Sequence, residues 1–554
     1  MIKPSLLTLA ACMACAAQAQ VVVPPSADPG ALQQRRIEDE QRRLEQERLE
    51  RRPIADPVRQ EAPPTPAAAA AGTARFTVRE IRFAPASEIL SAEELRARVA
   101  PLEGKEITLS DLQQAVDGIN AIYKERGVIT ARAVIPPQDL AGGVFTIQLV
   151  EGRVGRIEVS GNPTTSESYV LDRVDAEPGK LVNLPALQDS LIRFNKTNDA
   201  QLRANLKAGS AFGQTDIGIE VQEPERHVFR FGLDNQGSEV TGKTRVGLGY
   251  TNQSLFGRRD TLSLNVLSAS GLKSYSVDYA LPMNRWGGRL SLSRNQDDTD
   301  LKFGPFASLG ITGESTATSL GLRQPVHVTE RSQTDLILVL RKRDVENRVS
   351  GVFLSSTATR DTQFGLDHQT ADDSGHWGAN YSIYKGKATT ASGRTDYTLG
   401  RGALRRTQLI TEGWVARGSL SFQHTSSDAL PTGEYYFLGG EGSVRGYPVG
   451  VYSGDRGTVL SLELQHPLVP AAPGSSGAGF QASGFFFVDA GRVKTVRPPD
   501  STQPASESLR SVGWGAQMSW GPHVSARLTL AYALDKLPDE PKRLTAKFQL
   551  NSQY

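Results

Sequence analysis

The chain has 554 residues, room for several domains, and sets 62 Lys and Arg against 60 Asp and Glu. That balance names no polyanionic partner, and no nucleic-acid-binding pattern stands out. Cys12 and Cys15 are the two cysteines, too few and too close to the start for a disulfide scaffold or a thiolate metal centre. Residues 1–19 read as a secretory signal peptide: Lys3, an apolar stretch from Leu6 to Ala17, then Ala17-Gln18-Ala19, which places cleavage before Gln20. Export is expected, and both thiols leave with the leader. Leu9 to Cys12, "LAAC", also reads as a lipoprotein processing site, so lipidation of Cys12 stands as an alternative. No later segment reaches the about 18 apolar residues of a membrane helix, which leaves a periplasmic protein or an outer-membrane barrel.

Residues 20–52 hold a charged run, "RRIEDEQRRLEQERLERR" from Arg35, whose pairs Glu38/Arg42, Asp39/Arg43 and Glu47/Arg51 are spaced to meet on a helix surface. Ile37, Leu44 and Leu49 are its only apolar members, so the helix is solvated, in a loose coiled coil, or in a wet cavity. Residues 53–74 are rich in Pro and Ala without period and read as an extended tether.

Two similar modules follow, 75–152 and 153–225. Each reads as strand, helix, helix, strand, strand over roughly 75 residues, enough for a small core. In the first, Ser91 and Glu94 form a capping box, and a second helix spans 110–126. "ITARAVIPPQDLAGGVFTIQLVEG" resembles the signature of polypeptide-transport-associated (POTRA) domains of two-partner secretion transporters: Pro136, Pro137 and Gln138 match its Pro-x-Gln element, Glu151 and Gly152 its closing pair. The fold offers strand edges and a helix-to-strand groove, surfaces to which an extended peptide adds itself through main-chain hydrogen bonds.

From 226 to 554 helical periodicity gives way to short alternating segments separated by Gly, Asn, Asp, Ser and Pro. In "RLTAKFQLNSQY", Leu544, Ala546, Phe548, Leu550 and Tyr554 share one face and polar residues the other. At about 10 residues per strand plus a connection, the segment accommodates roughly 16 antiparallel strands of a transmembrane β-barrel, whose closure removes the sheet edges. The expected fold is therefore α+β periplasmic modules followed by an all-β membrane barrel. Five strands, 458–466, 480–489, 511–520, 525–534 and 543–554, follow the glycine-dense stretch 439–457, "GGEGSVRGYPVGVYSGDRG". That places the stretch between strands 11 and 12, starting outside the cell. The long connection 467–479 sits awkwardly as a periplasmic turn.

In this setting 439–457 resembles the inward-folded sixth extracellular loop of the outer-membrane assembly and two-partner secretion superfamily, through Val444, Arg445, Gly446 and Tyr447. A strand-13 partner element is matched by Phe487, Asp489 and Gly491, and "SLFGRRDTLSL" resembles the early barrel strands. The resemblance implies an Arg445–Asp489 ion pair weakened by lumen water. It also implies that the charged helix, with Arg35, Arg42, Arg43, Glu47 and Arg51, plugs the pore. Transport of an unfolded exoprotein (adhesin, haemolysin or toxin) across the outer membrane is the implied function, with POTRA domains in the periplasm. The implied partners are that exoprotein, outer-membrane lipid and the barrel assembly machinery. An assembly factor for other barrels and, from another class, a diffusion porin are the alternatives. No HExxH helix, Walker A loop or G-x-S-x-G elbow is present, so no enzyme, metal or cofactor is expected.

Overall fold

The computed structural model describes residues 28–50, 57–60, 75–126, 128, 130–138, 142–211, 213–411, 413–470, 479–496, 505–537 and 543–554. The expected signal peptide, the Cys12 site and most of the 53–74 tether lie outside them.

Sixteen strands among the described residues close into one antiparallel barrel. In chain order they are β1 (His227–Asp234), β2 (Arg245–Asn252), β3 (Thr261–Ala269), β4 (Leu272–Pro282), β5 (Arg289–Asp300), β6 (Ile311–Val328), β7 (Ser332–Val349) and β8 (Val352–Asp372). They continue as β9 (Gly375–Thr390), β10 (Gly393–Thr411), β11 (Trp414–Thr425), β12 (Arg456–Val469), β13 (Phe480–Lys494), β14 (Ser506–Trp520), β15 (Val524–Ala533) and β16 (Leu544–Gln553). β1 closes on β16, Leu233 opposite Leu550, and Tyr554 extends the seam through hydrogen bonds in both directions with Phe229.

The alternation is inverted relative to a soluble sheet. Leu248, Leu292, Phe364, Phe486 and Trp514 are exposed on the outer wall, whereas Asp335, Arg343, Asp361 and Asp489 are buried inside. Apolar side chains facing outward over a polar interior suit lipid outside and water inside. The 467–479 connection does not disturb the count, because β12 runs on to Val469 and β13 begins at Phe480, shortening it.

In the first module the sheet order is 80–84, 144–151, 131–134, beside a small pair 75–77 and 106–108. Its helices, Ala92–Val99 and Leu109–Glu125, start at capping boxes, Ser91 with Glu94 and Thr108 with Asp111. Both bury apolar faces on the sheet around Leu112, Ile119, Phe145 and Ile147. In the second, helices Glu167–Leu171 and Leu184–Thr197 cover strands 153–160, 214–222 and 201–208.

A further strand lies where the sequence suggests only tether. Val58–Gln60 pairs in parallel with 204–206 and occupies the outer edge of the second module, and the Ala204 amide donates to the Pro57 carbonyl at 2.8 Å. Val58 is partly buried against the module's core. One apolar residue and a vacant edge suffice to order three residues that show no periodicity.

Candidate functional site in the barrel lumen

The 30 residues between β11 and β12, 426–455, turn into the lumen. They form a 3₁₀ turn, Thr432–Glu434, and a small hairpin of Tyr436–Leu438 with Tyr452–Gly454. The hairpin's tip carries Val444 to Tyr447. Val444 and Tyr447 are buried with Leu438 against Val459, Val493, Leu509 and Ala533 of the inner wall. The Tyr447 hydroxyl donates to the Arg510 carbonyl at 2.7 Å and accepts from the Asp535 amide at 2.9 Å. Gly446 has φ +92°, and a Cβ there would meet the Ala531 methyl at 3.2 Å. Glycine is therefore needed both for the backbone and for the approach to the wall.

Arg445 lies against β12 and β13. Its Nε and Nη2 donate to the two Asp489 carboxylate oxygens, both at 2.8 Å, and its own amide adds a third bond at 3.1 Å. Asp489 also accepts from Ser461 at 2.7 Å. The guanidinium carbon stands 3.5 Å from the Phe487 ring centre, a cation–π contact. A Cβ on Gly491 would come within 2.8 Å of Leu438 and Val444, so this glycine makes room for the tip.

The two sequence elements thus meet, with one difference from expectation. Arg445 is 6% exposed and Asp489 0%, so the pair is buried, not bathed in lumen water. The tip's own apolar residues seal it. Burial makes the bidentate geometry decisive, because an unpaired carboxylate there has nothing to replace the guanidinium.

Glu463 was not legible as part of this site. It accepts from Arg445 Nη1 at 2.9 Å and from Arg527 Nη2 at 2.9 Å. The signal available is parity: Glu463 falls on the inward face of "VLSLELQH", two residues from Ser461.

Helix α1 spans Pro29–Glu50 and contacts β5, β6 and β7. Asp28 caps it by accepting from the Ala31 amide at 2.9 Å. Its buried seat lies upstream of the charged run, at Ala31, Gln33 and Gln34. Gln33 exchanges two hydrogen bonds with Ser315, and Arg36 pairs with Asp297 at 3.3 Å. Of the five residues assigned to the plug, Arg35 stacks on Phe437 of the inward hairpin at 4.5 Å. It also approaches Gly450 (φ +65°) so closely that any side chain there would collide with it. Arg42, Arg43 and Glu47 lie on α1 with side chains outside the described atoms, and Arg51 lies outside the described residues. A short polar segment, not the charge run, makes the fit because the lumen wall offers hydrogen-bonding groups at close range.

Helix and loop share one anchor. Glu434, fully buried, accepts from Arg341 at 3.0 Å, Arg343 at 3.2 Å and Arg401 at 3.1 Å, projecting from β7 and β10. The same arginines hold α1: Arg341 and Arg343 donate to the Gln34 side-chain oxygen, and Arg401 pairs with Glu38 at 3.0 Å. Asp361 adds a carboxylate to Arg341 at 3.0 Å.

The POTRA signature lies in the first module and acts on its fold. Gln138 donates to the Thr146 carbonyl and accepts from its amide, closing the connection between two strands. Pro136 and Pro137 bring the chain into that closure. Glu151 accepts from the Glu88 amide, Ser87 and Tyr123, fixing the approach to the first helix. Burial pushes the Tyr123 phenol well above its usual range, so it remains a donor to that carboxylate. Gly152 lies where a Cβ would strike Thr130.

Residues 253–260, the turn between β2 and β3, join the second module to the barrel. Arg259, fully buried at φ +55°, binds Asp199 and donates to Thr164 at 3.2 Å, with Glu223 3.8 Å away. Ser254 donates to the Thr164 carbonyl at 2.7 Å. This turn is the "SLFGRRD" stretch.

Residues 213–518 match the family model of the haemolysin secretion/activation protein ShlB/FhaC/HecB, and 76–152 the ShlB-type POTRA domain. The heme/hemopexin transporter protein HuxB of Haemophilus influenzae is 24% identical over 463 residues, covering 78% of this chain and 79% of that protein. The outer membrane transporter CdiB of Dickeya dadantii is 26% identical over 412 residues, 70% and 72% of the two chains. Among solved structures, CdiB from Escherichia coli superposes with a TM-score of 0.66 at 21% identity, covering 97% of this chain and all of that one. BamA from Haemophilus ducreyi lacking POTRA domains 1–3 gives 0.53 at 17% identity, covering 86% and 100%.

Proposed function

The chain belongs to the haemolysin secretion/activation (ShlB/FhaC/HecB) family, and on that premise we propose a route for its cargo through the lumen just described. It is an outer-membrane two-partner secretion transporter. The POTRA modules face the periplasm and receive an unfolded exoprotein, which the barrel conducts to the surface. HuxB, CdiB and the haemolysin transporters set the range of cargo classes: a heme-acquisition protein, a toxin or a haemolysin. Transport, not catalysis, is the activity assigned to this lumen.

The observation that carries the route is the shared arginine anchor. α1 fills the path that a polypeptide needs, and Arg341, Arg343 and Arg401 hold it through Gln34 and Glu38 while holding the loop through Glu434. Withdrawal of α1 leaves those arginines paired with Glu434, so at this anchor the departing helix leaves no cation without a carboxylate. Loop and Arg445–Asp489 pair stay in place as the fixed wall, and the helix is the moving part. Folding of the exoprotein outside supplies the direction, since no nucleotide is available there.

The test uses the full chain in lipid nanodiscs with an unfolded N-terminal fragment of the exoprotein that disappears from the medium when this chain is deleted. Binding of the fragment should raise the mobility of a spin label at position 32 of α1, which leaves the Gln34 anchor intact. A label that stays immobile while the fragment is bound and the exoprotein is still secreted in cells would refute plug withdrawal.

A further inference from the structure

The outer wall of the barrel carries a cationic cluster that neither lumen nor periplasmic modules use. On β5 to β9 the contiguous outward apolar band reaches Leu292, Leu320, Leu340, Phe364 and Ile383 toward the extracellular side, with Val352 and Phe353 standing apart at the far end of β8. Immediately above them stand five exposed cations, Arg294, Lys342, Arg360, Lys385 and Lys387.

Register sets like charges directly opposite one another: Lys342 faces Arg360, and Arg360 faces Lys387. Cross-strand neighbours of one sign destabilise a sheet, so the arrangement calls for an anion. The protein supplies little of one. Lys342 pairs with Asp344 at 2.6 Å, and Asp396 lies in register beside Lys387. Five cations against these two carboxylates leave a surplus of three. Among the described residues, Arg360, Lys385 and Lys387 have no ion-pair partner. On the periplasmic side, by contrast, Arg406 pairs with Asp372 and Arg331 with Asp373.

The cations line a shallow groove of about 890 Å³, floored by Leu292, Leu320 and Leu340. Its height matters: this is where the lipid-facing band gives way to headgroups, in the leaflet built of phosphorylated glycolipid. We propose that the groove is a binding site for the phosphate groups of that outer-leaflet glycolipid, with the acyl chains lying on the leucines beneath. Ammonium and guanidinium groups donate charge-assisted hydrogen bonds to phosphate, and anionic headgroups relieve the opposed charges.

The test is native mass spectrometry of the full chain in nonionic detergent, titrated with bis-phosphorylated lipid A. Each cation near an anionic surface contributes roughly fivefold in affinity, so R360Q/K385Q/K387Q should weaken binding roughly a hundredfold. R360K/K385R/K387R should bind as the parent does. Heat-modifiable gel migration shows that each variant is folded, and should the triple variant fail, K387Q alone should lose roughly fivefold. Unchanged affinity in the folded glutamine variant overturns the site. So does equal binding of dephosphorylated lipid A, while competition by inorganic phosphate at equal phosphate concentration reassigns the groove to the free ion.

Discussion

Arg445 illustrates how a tetrapeptide acquires meaning from its partners. Alone, Val-Arg-Gly-Tyr is a turn; with Asp489 on β13 it becomes a buried bidentate pair walled by Phe487 and extended through Glu463 to Arg527. Arg445→Ala leaves Asp489 uncompensated at 0% exposure, and breaking such a pair costs about 3–5 kcal/mol. The expected result is undocking of the loop tip and loss of exoprotein from the medium, with the barrel still inserted and heat-modifiable. Arg445→Lys should not restore secretion, because a single ammonium cannot reach both carboxylate oxygens and Glu463 together. Normal secretion by the alanine variant would remove the pair from the working mechanism. At this scale the sequence displayed the residues that meet, since both motifs lay in order, but not their burial. That depended on the loop packing Val444 and Tyr447 against the inner wall on either side of Arg445, and such enclosure leaves no local pattern.

Elements were legible where one periodicity ran long enough. The strand count follows from the segment's length and its recurring alternation, and the first helix of the first module from Ser91–Glu94 capping; the second, expected from Ser110, is capped two residues earlier by Thr108 with Asp111. The plug was legible as a helix with no core to join, yet its seat was not: Gln33 and Gln34 look like any polar pair until Ser315, Arg341 and Arg343 are placed opposite. Removal of residues 20–52 should raise single-channel conductance in planar bilayers, and Gln34→Ala should raise the fraction of time spent open while keeping the closed level. An unchanged open fraction in Gln34→Ala would show that the arginine anchor does not retain the helix. The linker strand Val58–Gln60 leads to a second expectation. It occupies the edge of the second module on which an extended substrate could pair, leaving 153–160 as that sheet's other edge. Arg59→Pro removes a ladder donor. Amides of 201–208 should then exchange faster, and an unfolded substrate fragment should bind more tightly. Weaker binding would mean that the linker strand helps to form the site instead of covering it.

At the scale of the whole molecule, the question is how capture in the periplasm is communicated to a plug in the lumen. α1 and the second module are linked twice, once through the tether, whose Val58–Gln60 joins that module's sheet, and once through the barrel turn at Arg259. The second link is rigid: a fully buried guanidinium held by Asp199, Thr164 and the nearby Glu223. With that joint fixed, strain from a chain bound at the second module passes along the tether to α1 instead of swinging the module away. Arg259→Ala should therefore uncouple the two. It removes the guanidinium that Asp199 and Glu223 share, and the module–barrel angle should broaden, which paired spin labels on 180 and 331 report as a wider distance distribution. Fragment binding should persist, since the strand edges are untouched, yet it should no longer mobilise a label at position 32. A variant with a broadened joint that still releases the plug on binding would show that the tether alone carries the signal.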